Sequence, residues 1–306
     1  MWRWCVMVVW LVSGLATAAG MPEPKVVQLN ARVFALLGPT GLPGPANQGY
    51  MVNATLILGA KGAILVDTGS SDEVGAHLLK TVRRLTDKPV THVINTHHHG
   101  DHVLGNSVFA GAQIISSEKC RSLVESTGHD WIAIMENLIG RKLPGTRPVP
   151  AGVTFSEDTL TEQTIDGVRM VMWVPLGAHS PSDMMVFLPD DRLLVGGDVL
   201  VNQVVPVMRD GHVRNWLAAL TRVQTFAADA IVPGHGPMMT MAEVRTLQQM
   251  MSAFYSGVEA GFKKGLSDAE IRPTLDLRAW QRLDGFETNM GQNINRAYLE
   301  VEAASF

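Results

Sequence analysis

Cysteine is nearly missing from this chain: 306 residues contain only Cys5 and Cys120. Cys5 lies in a leader-like N-terminus, so processing would leave Cys120 without an intramolecular partner and exclude a disulfide framework. A surplus of positive charge is missing too, with 25 Lys and Arg against 29 Asp and Glu and a formal net charge of -4. No Lys/Arg stripe suited to a phosphate backbone stands out, which argues against nucleic acid as a partner. The apolar run at residues 4–15 is too short for a comfortable membrane span. No short internal repeat and no low-complexity array occurs.

What is present at the N-terminus reads as an export signal over residues 1–18. Arg3 supplies the positive region, residues 4–15 the apolar stretch, and Ala16-Thr17-Ala18 a small-residue cleavage site before Ala19. The mature chain, residues 19–306, is then expected to be periplasmic or secreted, with no stable membrane insertion after cleavage. The alternative is an uncleaved anchor; no cysteine marks the site for lipid attachment. An exported chain without a disulfide must draw stability from its core and from any metal it holds. The length suits one large domain or two small ones, and leaves the oligomeric state open.

Residues 26–37 have β character, followed by a Gly/Pro-rich loop at residues 38–49 that is too long for a tight hairpin. Short strands are expected at residues 55–58, 63–66 and 90–94. Between the last two, Val74, Leu78, Leu79, Val82 and Leu85 have helical spacing. Further on, residues 161–165 and 168–174 form a hairpin around Asp166-Gly167, and residues 184–188 and 193–195 form another. A helix at residues 214–226 leads to a strand at 230–232, and residues 241–304 read as mostly helical. Hairpins alternating with helices in two successive halves predict two packed sheets with helices outside.

The most informative stretch is Thr96-His97-His98-His99-Gly100-Asp101-His102, directly after a strand. Alternate residues on an extended backbone share a side, so His97, His99 and Asp101 can converge, with His102 at the turn into a helix. Imidazole nitrogen with carboxylate oxygen suits zinc or a similar borderline metal, with Fe2+ or Mn2+ as other candidates. His98 falls out of phase and is expected in the loop rather than on a metal. Three more donors follow strands and sit among glycines: His179, Asp198 and His235. Glycine there lets the backbone turn sharply and approach an ion closely.

In this order and with these flanking glycines, the seven residues resemble the metallo-β-lactamase-fold superfamily, over roughly residues 26–239. The resemblance implies an α/β chain folded as a four-layer αβ/βα sandwich, with two zinc ions at one edge. The core is then expected over about residues 26–240, with a C-terminal extension over 241–306. It further implies that His97, His99 and His179 hold one ion, that Asp101, His102 and His235 hold the other, and that Asp198 bridges them. Residues 95–106 and the ending at 293–302 are similar to exported SoxH-like proteins, also called quinoprotein relay system zinc metallohydrolases. Zinc β-lactamases typically carry cysteine or serine where this chain has Asp198, which aligns it with glyoxalase II-type hydrolases instead.

The expected function is hydrolysis of a small thioester, ester or lactone by a hydroxide shared between two ions. Such ions lower the pKa of water from about 15.7 to about 7, and Asp101 would orient its proton. Other readings are a persulfide dioxygenase-like enzyme with one iron, a weak β-lactamase-like amide hydrolase, and a non-catalytic accessory protein of sulfur-oxidation or quinoprotein systems. Asp67 in Val66-Asp67-Thr68-Gly69 either caps a turn or accepts the free ring N–H of a ligand histidine. The loop at 38–49 could cover the site as a flap. Met135, Leu138 and Ile139, after Trp131 and Ile132, form an apolar stripe expected mainly in the core. His77, His92, His129 and His212 lack partners in sequence and read as surface or local hydrogen-bonding residues.

Overall fold

The computed structural model describes residues 20–305, so the expected export signal lies outside the described residues. Strands β1 (Lys25–Gln28) and β2 (Val33–Leu37) form a hairpin. The β character expected over residues 26–37 is thus broken. Asn30 Oδ1 takes the backbone N–H groups of Arg32 and Val33, each at 2.9 Å, and closes a turn. With β3 (Ala54–Leu58), β4 (Ala63–Val66), β5 (Val90–Ile94), β6 (Gln113–Ser117) and β7 (Val153–Phe155), these strands make one sheet in sequential order. Pairing is antiparallel from β1 to β4 and parallel from β4 to β7.

The second sheet contains β8 (Thr159–Ile165), β9 (Val168–Val174), β10 (Met185–Leu188), β11 (Leu193–Val201) and β12 (Ala230–His235), in the order β12-β11-β10-β9-β8. Helices α1 (Asp72–Leu85), α2 (Gly100–Val103) and α3 (Glu118–Ile139) connect strands of the first sheet. Helix α4 (Val213–Val223) precedes β12, and α5 (Met241–Lys263), α6 (Asp268–Ile271) and α7 (Phe286–Ala303) follow it.

Period-two alternation assigns the layers. Val33, Ala35 and Leu37 of β2 share one apolar cluster with Met170, Met172 and Val186 of the opposite sheet. Phe34 and Leu36, one residue out of phase, cluster instead with Leu78 and Val82 of α1. On the other side Val171 and Trp173 cluster with Trp216 of α4 and Phe254 of α5. The result is a four-layer αβ/βα sandwich. Central strand β11, covered on both faces, is buried along its whole length.

That strand runs six residues beyond the expected end at Val195. Its register with β12 slips between Val195 and Gly197, and again between Gly197 and Val201. Bulges of this kind re-aim side chains, and Asp198 lies within them. Helix α3 is capped by Ser117, whose Oγ accepts from Cys120 N at 3.0 Å, and ends on Gly140 at φ 76°.

The C-terminal helix braces the loop before α4. Buried Asn293 accepts from Met208 N and donates to the Pro206 carbonyl, each at 2.9 Å. Glu300 accepts the first N–H groups of α4, from Val213 at 2.6 Å and Arg214 at 3.0 Å, a favourable place for a carboxylate. Among the described residues, no helix is long and apolar enough to cross a membrane.

Candidate metal centre

Strand ends of both sheets meet at one edge, and the polar residues collect there. The donor atoms of His97, His99, His179 and Asp198 lie within 4.8 Å of one another, as do those of Asp101, His102 and His235. Asp198 joins the two groups. Its Oδ2 is 3.5 Å from His179 Nε2, 4.0 Å from His97 Nε2 and 3.3 Å from His235 Nε2, while its Oδ1 is 3.3 Å from His102 Nε2. Asp101 Oδ2 is 3.1 Å from His235 Nε2 and 3.4 Å from His102 Nε2. All seven residues predicted as donors are therefore brought together.

Each of the five histidines is fixed at its far ring nitrogen. The partners are Thr96 Oγ1 for His97 Nδ1 (3.1 Å), Asp210 Oδ2 for His99 Nε2 (3.0 Å) and Asp67 Oδ2 for His102 Nδ1 (2.8 Å). The carbonyls of Val207 and Met51 serve His179 Nδ1 and His235 Nδ1, at 3.0 and 3.1 Å. Acceptors at these positions call for N–H on the far nitrogen and leave the near nitrogen aimed at the centre. Thr96 Oγ1 also donates to Asp67 Oδ2 at 2.8 Å. Asp67 thus orients His102 directly and His97 through Thr96. It also accepts Thr96 N at 2.8 Å from a left-handed backbone, φ 61°, so its carboxylate serves the segment after β5.

The electrostatics ask for cations. Burial, then the neighbouring His102 and His99, holds the His97 pKa well below the ordinary histidine value. Its Nε2 is buried and has no hydrogen-bond partner, a costly condition for a polar atom that no ligand meets. Burial disfavours charge on Asp101 and Asp198, yet His102 and His235 outweigh it and keep both carboxyls well below the usual range. Burial likewise opposes charge on His235, but Asp198 and Asp101 raise its pKa to about 10. Imidazole nitrogens clustered with buried carboxylates are the donor chemistry of zinc and similar divalent ions, and the residues fit such ions.

Glycine makes the close approach feasible. A Cβ on Gly197, at φ 50°, would come within 2.6 Å of Thr96 Cβ, and one on Gly234 would collide with Asp198 Oδ1. Asp183 shapes the turn that carries His179, accepting Ala178 N at 3.1 Å and Ser180 N at 3.0 Å. His98 points away from the centre and pairs with Ser182 Oγ at 2.9 Å. His77 reaches the Pro22 carbonyl, His92 bonds Thr91, and His212 caps α4.

Two residues escaped the reading of the sequence. Asp210 lies 111 positions from the histidine it orients, in a loop with no motif of its own. Asn53, whose side chain donates to the Pro233 and Gly236 carbonyls, precedes an ordinary strand.

A cavity of about 210 Å³ opens over the donors. Asp101, Asp198 and His235 each keep 8% exposure toward it, enough for a substrate to reach them. Pro39, Leu42 and Pro43 of the loop at 38–49 line one side, and Trp131, Ile134 and Leu138 of α3 line another. The stripe on α3 is therefore only partly core. Met135 and Ile139 are buried, but Leu138 stays 42% exposed because it faces the cavity.

The family model of the Metallo-beta-lactamase superfamily matches residues 47–235. The chain belongs to that superfamily. It is 24% identical over 261 residues to the linear primary-alkylsulfatase of Pseudomonas sp. (strain ATCC 19151), covering 72% of this chain and 49% of that one. The chain thus spans about half the length of that relative. Among solved structures, the metallo-β-lactamase from Pontibacter korlensis matches with a TM-score of 0.60 at 21% identity, covering 75% of this chain and 99% of that one. The metallo-β-lactamase FIM-1 from Pseudomonas aeruginosa, in its mono-zinc form, matches with a TM-score of 0.59 at 19% identity, over 76% of this chain and 96% of that one. At these identities the structural matches show a shared fold.

Proposed function

We propose that the chain is an exported zinc hydrolase with two ions, acting on a small ester, thioester or lactone. The observation that carries this reading is the reach of Asp198, whose two oxygens contact histidines of both donor groups at 3.3–4.0 Å. A single-iron dioxygenase would need only one of those groups. His97, His99 and His179 would hold one ion, Asp101, His102 and His235 the other, with Asp198 shared. Zinc bound there supplies Lewis acidity and a water of lowered pKa.

The protein's own groups do the rest. Asp67 and Asp210 keep three histidines in the tautomer that presents a lone pair. The Asp101 carboxylate, open to the cavity, would accept a hydrogen bond from the attacking water and orient it. The apolar walls keep bulk water away, which strengthens the electrostatic interactions inside. Export is supported by Arg3, the apolar stretch after it and Ala16-Thr17-Ala18.

Elemental analysis paired with a hydrolysis screen tests this reading. Nearly two zinc ions per mature chain are expected, with turnover of at least one of ester, thioester or lactone. His179→Ala should lose activity and metal together. Sulfate esters and β-lactams join the screen because relatives carry the names alkylsulfatase and β-lactamase. Full zinc loading without turnover of any acyl bond would overturn the proposal. Oxygen uptake that depends on ferrous iron would replace it with the dioxygenase reading.

A further inference from the structure

The cavity has an apolar side that the chemistry at the metal centre does not use. Among the described residues, seven large hydrophobic side chains remain exposed, and Leu42, Ile134 and Leu138 are three of them. All three line this one cavity, at 48%, 40% and 42% exposure. Single exposed leucines are ordinary, but three converging beside a reactive centre mark a surface kept free for a ligand. Trp131 and Pro39 extend the same surface down toward His99, whose ring centroid lies 4.8 Å from that of Trp131.

The surface is also preformed. Asn47 Oδ1 accepts Gly44 N at 2.9 Å and Gly49 N at 3.0 Å, and its Nδ2 donates to the Leu42 carbonyl at 3.0 Å. Gly38 N is held by Asn53 Oδ1 at 3.0 Å, and Ser70 Oγ donates to the Gly49 carbonyl at 2.8 Å. The loop expected to act as a flap is thereby tied at both ends and in its middle. It serves as a fixed wall facing α3.

Charge recognition across the cavity is muted. The guanidinium of Arg209 stacks 5.2 Å from the Trp131 ring centroid, and its Nε and Nη2 both donate to Asp210 Oδ2, at 3.1 and 3.0 Å. Its charge is paired with Asp210, while the side chain itself lines the cavity and stays 40% exposed. The apolar contact on this side is offered by Pro39, Leu42, Trp131, Ile134 and Leu138.

Resting on the hydrolase reading above, we infer that the substrate carries an apolar chain, lying between the 38–49 loop and α3 with its scissile group over Asp101 and Asp198. A methylene fully removed from water contributes about 0.8 kcal/mol, roughly fourfold in binding. In this open cavity each added methylene should raise kcat/KM by about two- to fourfold, until the chain outgrows the wall.

The experiment is a series of acetyl, butyryl, hexanoyl and octanoyl thioesters assayed with the zinc-loaded mature protein. Leu138→Ser and Ile134→Ser should flatten the rise with chain length. Leu299→Ser, equally exposed on α7 but away from the cavity, should keep it. Turnover that is independent of chain length would overturn the inference and leave the hydrolase reading standing. Calorimetric titration with acetate, butyrate, hexanoate and octanoate separates the two ideas. If no thioester turns over, affinity that rises with chain length and is lost in Leu138→Ser still supports the apolar wall, while a flat or absent response overturns it.

Discussion

The floor and the walls of this cavity are built by different rules. On the floor, every donor is nearly buried, every histidine is fixed at its far nitrogen, and both sheets contribute. On the walls, Leu42, Ile134 and Leu138 stay 40–48% exposed and touch little. The segment matched by the superfamily model, residues 47–235, contains the whole floor together with Ile134 and Leu138, while Leu42 lies before it and Asn289 and Gln292 of α7 after it. A floor mutation should move metal and rate together, whereas a wall mutation should move rate with metal unchanged.

Asp198→Ala should break the floor most severely. Removing the group that contacts both donor sets is expected to lower kcat/KM by roughly 10²- to 10³-fold or more, the scale of a lost electrostatic stabiliser. Zinc per chain, measured by elemental analysis, should fall in the same variant; retention of both ions would contradict the role given to Asp198. Asp67→Asn comes next. Asparagine tolerates the left-handed backbone at this position but offers a poorer acceptor to His102. A 10- to 100-fold loss of zinc affinity is expected by chelator competition, with an unchanged far-UV spectrum. Asp210→Asn, which orients only His99, should cost about tenfold in the same assay. If it instead altered rate with zinc affinity intact, Asp210 would belong to the wall.

How much of this could be read from the residues divides along the same line. The spacing of His97, His99 and Asp101 was informative because alternation on an extended chain has one geometric meaning. His179, Asp198 and His235 stood out as donors beside glycines at strand ends. Gly196-Gly197 misled about length, however, because glycine marks a bulge as readily as a strand's end. The walls were harder to see. Ile134 and Leu138 carry the same periodicity as Met135 and Ile139, and no pattern along a helix tells a cavity face from a core face. Asp210 depends on a contact across 111 residues, which only the tertiary structure supplies.

Smaller effects test the frame that holds both regions. Asn53→Ala leaves the Pro233 and Gly236 carbonyls without that partner and should lower stability by roughly 1–3 kcal/mol, seen as a reduced midpoint in urea. Little change would mean that water takes its place. Least of all, Cys120 should be silent. Burial pushes its thiol up to about 12, so at neutral pH it stays protonated and should react with a thiol reagent only after unfolding.

Asn53 spans the seam between the sheets with three hydrogen bonds, to Pro233, Gly234 and Gly236, at 2.8–2.9 Å. The spacing of that edge is thus set by the polypeptide before any ion is captured. A chain stripped by a chelator should keep its seam closed and regain its ions within the mixing time, with no refolding phase in between.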